Sequence, residues 1–320
     1  MVGPVEAALY PGLLALGCAA LMDAWVRVPS AWHPVAWFGK LAQWIIDRAP
    51  TTPERSAFRA GLAIALGLPL LVACAAWFLL RGLFPWYGGV LALQLALVYA
   101  CVCLFGLLHA AERLAEALER GLAEARTQLS WLCSRDPSEL DEPGLINGGV
   151  ESLAENLSDS VVAPLFFLCI GGLPCAVFYR AVNTLDAMIG YRGRFEWLGK
   201  AAARLDDVLN FLPARATALL LWLAAASCRS SQRLDLTRGV RVWRADRART
   251  PSPNGGHPMA MAAGLLGLRL DKPGVYVLGE GLAVPARADL ARAVVLTRRA
   301  GLLAFALAAC VCAWRRGFLV

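Results

Sequence analysis

Glu151, Glu155 and Asp159 recur every four residues directly before an uncharged twenty-residue run from Ser160 to Tyr179. On a helix a step of four turns about 400°, so the three carboxylates would share one face with about 40° of drift between neighbours. Like charges placed this way repel. The arrangement suits a bound cation, basic partners or a proton shared between carboxylates. It equally suits a solvated acidic face at a helix start, where the macrodipole favours negative charge. Other polar groups cluster downstream: Asn183-Thr-Leu-Asp186 before Gly190-Tyr191, then Arg204, Asp206, Asp207 and Asn210 ahead of Pro213-Ala-Arg215, then Ser252-Pro-Asn254-Gly-Gly256 ahead of His257. Near the N-terminus Asp23 precedes His33-Pro34, where a histidine before proline is more often a hydrogen-bonded structural group than a catalyst.

The elements that must carry these groups are set by an apolar solvent. The chain is 58% hydrophobic and 17% charged, with mean hydropathy +0.54. Uncharged stretches of 21 residues between Arg59 and Arg81 and of 30 between Arg81 and Glu112 can each cross a hydrocarbon layer, which needs about 20 residues of helix. Ala7–Met22, Ser160–Tyr179, Ala216–Cys228 and Ala300–Trp314 are weaker candidates, the last two short for a span. The predicted fold is all-α: a polytopic helical membrane protein with about 4–6 transmembrane or re-entrant helices plus membrane-surface helices. No linker or repeat divides the chain, so residues 1–320 read as one membrane domain. Carboxylates and amides are costly near lipid unless paired or facing a wet cavity, which raises the functional weight of the polar clusters.

Basic residues place the N-terminus outside and the two longer early connections in the cytoplasm. Simple alternation would then export Arg180–Arg215 with its six basic residues, unless a neighbouring segment dips in without crossing. The net charge of +7 fits an anionic leaflet or a polyanionic substrate, and its dispersal argues against nucleic acid. Ten cysteines form no CxxC pair, and most sit in apolar runs, where packing is their expected role. No basic region precedes the first apolar run, which argues against a cleaved signal peptide. Glu112–Arg126 reads as an amphipathic helix with Glu116 set to pair with Arg120, Arg135–Gly149 as a loop, and Arg229–Arg249 as a membrane-surface helix.

Four motifs, E-x-x-A-E-N-x-x-D from Glu151 to Asp159, N-T-x-D-x-M-x-G-Y from Asn183, A-R-x-D-D-x-x-N-x-x-P-A-R from Ala203 and S-P-N-x-G from Ser252, occur in this order. From about Asp23 to Leu270 the chain thereby resembles the adenosylcobinamide-phosphate synthase family of cobalamin biosynthesis, the CbiB/CobD type. It departs from that pattern at Ala24, Pro137, Leu157, Ser160 and His257, the last standing where an aromatic residue is commoner. The resemblance implies an inner-membrane, multi-pass enzyme with its active site on cytoplasmic loops. It implies ATP- and Mg²⁺-dependent amide formation between adenosylcobyric acid and an amino-alcohol phosphate such as aminopropanol O-phosphate, and is compatible with an oligomer. Carried onto this sequence, Glu151, Glu155 and Asp159 hold the metal, helped by Asp206 and Asp207, and Asp186 accepts the amine's proton. Arg192, Arg204 and Arg215 bind phosphates. Asn156, Asn183, Asn210, Ser252, Asn254 and His33 orient substrate.

ATP follows from the resemblance alone. Gly193–Lys200 fails as a P-loop, because five residues rather than four separate Gly193 from Gly199 and Ala201 replaces the metal-binding hydroxyl. Two other classes use similar groups. A Mg²⁺-dependent intramembrane prenyl- or phosphoalcohol-transferase would show a second Asp-rich motif, and a transporter would show related halves with midplane polar residues.

Overall fold

The computed structural model describes residues 4–26, 29–83, 86–133, 136–191, 193–227 and 234–314, without the side chains of residues 4–13, Ser30 and Tyr87. Arg192, expected to bind phosphate, and Arg27, Arg135, Cys228, Arg229 and Arg233 lie outside the described residues. In chain order the helices are α1 (Pro4–Trp25), α2 (Pro34–Ile46), α3 (Glu54–Gly82), α4 (Tyr87–Cys101), α5 (Phe105–Arg120), α6 (Leu122–Leu129), α7 (Glu142–Leu157) and α8 (Ala163–Ile189). There follow α9 (Lys200–Leu209), α10 (Phe211–Ala226), α11 (Leu236–Asp246), α12 (Gly256–Leu266), the antiparallel strands β1 (Leu270–Lys272) and β2 (Tyr276–Leu278), and α13 (Arg287–Trp314). A π-helical turn, Ser158–Val162, joins α7 to α8. The chain is a helical membrane protein. Among the described residues α3, the run Glu142–Ile189 and α13 are long and apolar enough to cross a bilayer, and the bent pairs α4–α5 and α9–α10 raise the spans to five if each counts as one. Trp25, Trp86 and Trp314 stand exposed at the ends of α1, α4 and α13, where tryptophan suits the membrane–water interface.

Two compact units are built from separated stretches of chain: Met1–Cys103 with Ala163–Asn210 and Ala306–Val320, and Leu104–Val162 with Phe211–Phe305. In the first unit α3 packs on α8 and α9, while α4 packs on α1 and α8. Ala42, Ile46, Ile64, Ala65, Leu68, Leu185, Ile189, Leu198 and Ala202 form a buried cluster there. Gly61 makes the approach of α3 feasible, since a Cβ on it would fall 1.9 Å from the Leu198 carbonyl oxygen. In the second unit α12 is buried along its length against α11, α10 and α7. Arg238 Nε donates to the Gly264 carbonyl at 2.7 Å and Arg292 Nη2 to the Leu266 carbonyl at 3.1 Å, so two guanidinium groups satisfy two of the orphan acceptors at the end of α12.

Several expected elements change shape for local reasons. The 30-residue run after Arg81 is not one helix, because α4 ends at Cys101 and α5 restarts at Phe105. Ser160–Tyr179 is likewise interrupted: Gly171 (φ −136°) and Gly172 (φ +70°) leave the helix ahead of Pro174, which cannot donate a backbone hydrogen bond. The amphipathic helix breaks at Gly121 (φ +140°), and Arg120 pairs across the break with Glu124 at 2.8 Å rather than with Glu116. The predicted loop to Gly149 is shorter, since Asp141 accepts from Gly144 N at 2.9 Å and Pro143 opens the first turn of α7. Ala300–Trp314 belongs to the 28-residue α13 and is no longer short for a span. Of the expected surface helix, the described part is α11, capped by Asp235. Cys18, Cys74 and Cys310 are exposed rather than packed inside.

Candidate active site

In the second unit α7 carries the acidic motif, whose first residues lie among buried neighbours. Asn147, Glu151 and Ser152 are all buried. Asn147 accepts from Asp271 N at 3.3 Å and donates to the Asp271 carbonyl, tying α7 to β1. Asn156 donates to its own helix at Ser152 O, 3.0 Å away, so one of its two amide protons is committed to the backbone. The carboxylates do not share one environment: Glu151 is buried, Glu155 exposed and Asp159 half-buried. The π turn explains part of this, because its wider turn advances each residue by less than the 100° of an α-helix and changes the azimuth of Asp159. Spacing in the sequence cannot announce such a turn.

Glu155 meets the Ser252–Gly256 motif. A Cβ on Gly255 would lie 3.2 Å from Glu155 Oε1, which puts the carboxylate at the entry to α12. The entry is braced: Asn254 N donates to Ser252 Oγ at 3.2 Å, and Thr250 Oγ1 donates to the Ser252 carbonyl at 2.8 Å. Arg215, from the Pro213-Ala-Arg motif on α10, donates to buried Asn254 Oδ1 at 3.4 Å and lies 3.5 Å over the Phe211 ring. At the second residue of α12, His257 Nδ1 accepts from Trp243 Nε1 at 3.1 Å. Burial first, then the positive charges of Arg215 and Arg247, push the His257 imidazole down to about 4, so it is neutral near pH 7.

The first unit gathers the remaining candidates around Asp206. Asn183 donates to its Oδ1 at 3.3 Å and Asn210 to its Oδ2 at 2.9 Å. Tyr179 Oη in turn donates to Asn210 Oδ1 at 2.9 Å, and Arg180 Nη1 reaches Asn183 Oδ1 at 3.5 Å. A guanidinium only donates, so Arg180 fixes the Asn183 amide with its nitrogen toward Asp206. Nothing in the spacing of the motifs singles out Tyr179 and Arg180, although Arg180 precedes Asn183 by three residues on the same helix face. Asp186 packs against Gly190, where a Cβ would fall 2.0 Å from its Oδ1. Arg204 and Asp207 form a 3.8 Å ion pair with Arg204 exposed, a type of contact of small energetic weight. His33 caps α2, its Nδ1 accepting from Val35 N at 3.3 Å, and lies beside Tyr99. Burial and then Arg180 lower its pKa, against the opposing influence of Asp23.

Glu151, Glu155, Asn156, Asp159, Arg215, Ser252 and Asn254 therefore belong to the second unit, and His33, Asn183, Asp186, Arg204, Asp206, Asp207 and Asn210 to the first. Among the described residues no three His, Cys, Asp or Glu side chains converge as a set able to hold a metal ion. The described residues do not fit a cation held by protein groups alone.

Comparison with known proteins bears on the same stretch of chain. The family described as CobD/Cbib protein matches residues 16–298. Cobalamin biosynthesis protein CobD of Photorhabdus laumondii is 38% identical over 89% of this chain and 90% of its own length. The protein of the same name in Klebsiella pneumoniae is 37% identical over 92% and 96%, and cobalamin biosynthesis protein CbiB of Salmonella typhimurium is 37% identical over 88% of each chain. No solved structure matches. With a profile match reaching from α1 into α13 and these identities along most of its length, the chain belongs to the CobD/CbiB family.

Proposed function

We propose that this protein is the amide-forming ligase that joins adenosylcobyric acid to an amino-alcohol phosphate, aminopropanol O-phosphate in the typical case, giving adenosylcobinamide phosphate at the expense of ATP. The broader role is plain from the family: the chain works in cobalamin biosynthesis, on a corrinoid, at a membrane. The single observation that best supports the finer reading is the meeting of Glu155 with the Asn254–Gly255 entry to α12, beside Arg215. Three sequence motifs far apart in the chain supply a carboxylate, an amide and a cation there.

The chemistry sets what such groups must do. A free carboxylate is a poor electrophile, so ATP, carried as its Mg²⁺ complex, phosphorylates the corrinoid side-chain carboxylate; the amine attacks the acyl carbon, and phosphate leaves. Arg215 neutralises phosphate charge, Asn254 orients the transferred group, and Glu155, exposed at the helix entry, takes the proton that the amine loses. The reading places the enzyme in the cytoplasmic membrane with these groups open to the cytoplasm, where ATP is. The test is an assay of purified protein with MgATP, adenosylcobyric acid and aminopropanol phosphate. Coupled appearance of corrinoid amide and nucleotide cleavage is expected; a folded protein yielding neither would end the reading.

A further inference from the structure

Two cations in the second unit lack, among the described residues, the carboxylate partner their charge calls for. Arg215 on α10 and Arg247 directly after α11 both act on the imidazole of His257, and among the described residues neither guanidinium has a carboxylate partner. Each lies instead on an aromatic ring, Arg215 over Phe211 at 3.5 Å and Arg247 over Trp243 at 5.1 Å, a packing that orients a guanidinium without neutralising it. Among the described residues their hydrogen bonds run to neutral acceptors: the Phe211 carbonyl and Asn254 Oδ1 for Arg215, the Arg244 carbonyl for Arg247.

His257 completes the set. It is 6% exposed, and its Nδ1 is occupied by the Trp243 indole N–H at 3.1 Å. An indole can only donate, so the proton of the neutral imidazole sits on Nε2. Among the described residues Nε2 has no partner, yet it is not among the sealed, unsatisfied atoms, so this N–H keeps an outlet. A mostly buried donor with an outlet, next to two cations without counter-ions, matches a doubly charged acceptor.

We propose that Arg215, Arg247 and the Nε2–H of His257, at the Asn254–Gly256 entry to α12, form a receptor for a phosphomonoester or terminal phosphate group. His257 donates to a phosphate oxygen while the two guanidinium groups balance the charge. The imidazole serves better neutral than charged, because two guanidinium groups already match a dianion. Glu155 approaches the same helix entry, so a ligand carrying an ammonium as well as a phosphate would satisfy both signs of charge. That last step rests on the ligase reading; the receptor itself does not.

The chain has three histidines, so ¹⁵N-histidine labelling in nanodiscs gives three imidazole spin systems, and the one lost in His257→Gln is His257. The expected spectrum at pH 6 is a neutral imidazole protonated on Nε2. Aminopropanol phosphate or MgATP should shift that nitrogen and raise the His257 pKa, since a dianion offsets Arg215 and Arg247; unphosphorylated aminopropanol should not. A response to one phosphate ligand alone assigns the receptor to that ligand. In the ligase assay, His257→Phe should raise KM for the same ligand roughly 10-fold or more with a smaller effect on kcat, as for a lost bond to a charged group, and His257→Gln should recover part of it. If His257→Phe does not fold, Arg247→Gln provides the same readout. A protonated or Nδ1–H imidazole at pH 6, or a spectrum unmoved by both phosphates, overturns the receptor even if the ligase is active. An intact spectral response without amide product overturns the ligase and leaves the receptor standing.

Discussion

At the scale of single residues, the proposed chemistry rests on groups whose protonation and orientation the surroundings hold. Glu155 is the exposed member of its motif and approaches the α12 entry at Gly255. Glu155→Gln keeps the shape and removes the charge; amide formation should fall by at least ~10²-fold, as for loss of a preorganised electrostatic group, with membrane insertion and the thermal unfolding profile retained. Wild-type turnover in that variant would remove Glu155 from the reaction. His257 makes a pH prediction. Its folded-state pKa, about 4, lies below the ordinary 6.5, so between these values the unfolded chain binds a proton that the folded chain refuses. The stability this burial preserves is complete above about pH 6.5 and is lost as pH falls toward 4. Unfolding midpoints recorded across that window should decline with acid, and His257→Gln should flatten the decline; an unchanged slope would mean that His257 titrates normally.

At the scale of elements, the site depends on how closely backbones approach. A Cβ at Gly256 would fall 2.3 Å from the Arg247 carbonyl oxygen, which is backbone and cannot swing aside, whereas Gly39 has nothing within 4 Å. Gly256→Ala should therefore separate α11 from α12 and lower the thermal midpoint clearly, while Gly39→Ala leaves it within error. Asp141→Ala removes the cap of α7 and should cost about 1 kcal/mol, measurable as a lower midpoint with unchanged spectral helicity. The apolar runs showed where helices would form, but not where they would break. Gly121 and Gly171-Gly172 were visible residues with invisible consequences, since a glycine inside an apolar run is compatible with a straight helix until neighbouring elements demand a turn.

At the scale of the molecule, membrane residence is the property that composition dictated most directly. Membranes washed with alkaline carbonate should retain the protein, and its release into the wash would contradict spans built from α3 and α13. A cysteine introduced at exposed Arg194, in a background freed of native cysteines, should react with an impermeant reagent from the cytoplasmic side alone, because the ligase reading needs ATP to reach these groups; labelling from the outside would refute that topology. The amino-acid sequence by itself determined the solvent, the helical class, the acidic and amide motifs and their likeness to one enzyme family, because hydropathy and residue type are local properties. Only the tertiary structure decided which groups meet. It put Glu155 against Gly255, Arg215 against Asn254 and Trp243 against His257, and it split the acidic face with a π turn, because contacts between distant stretches depend on how helices pack and bend rather than on spacing along the chain.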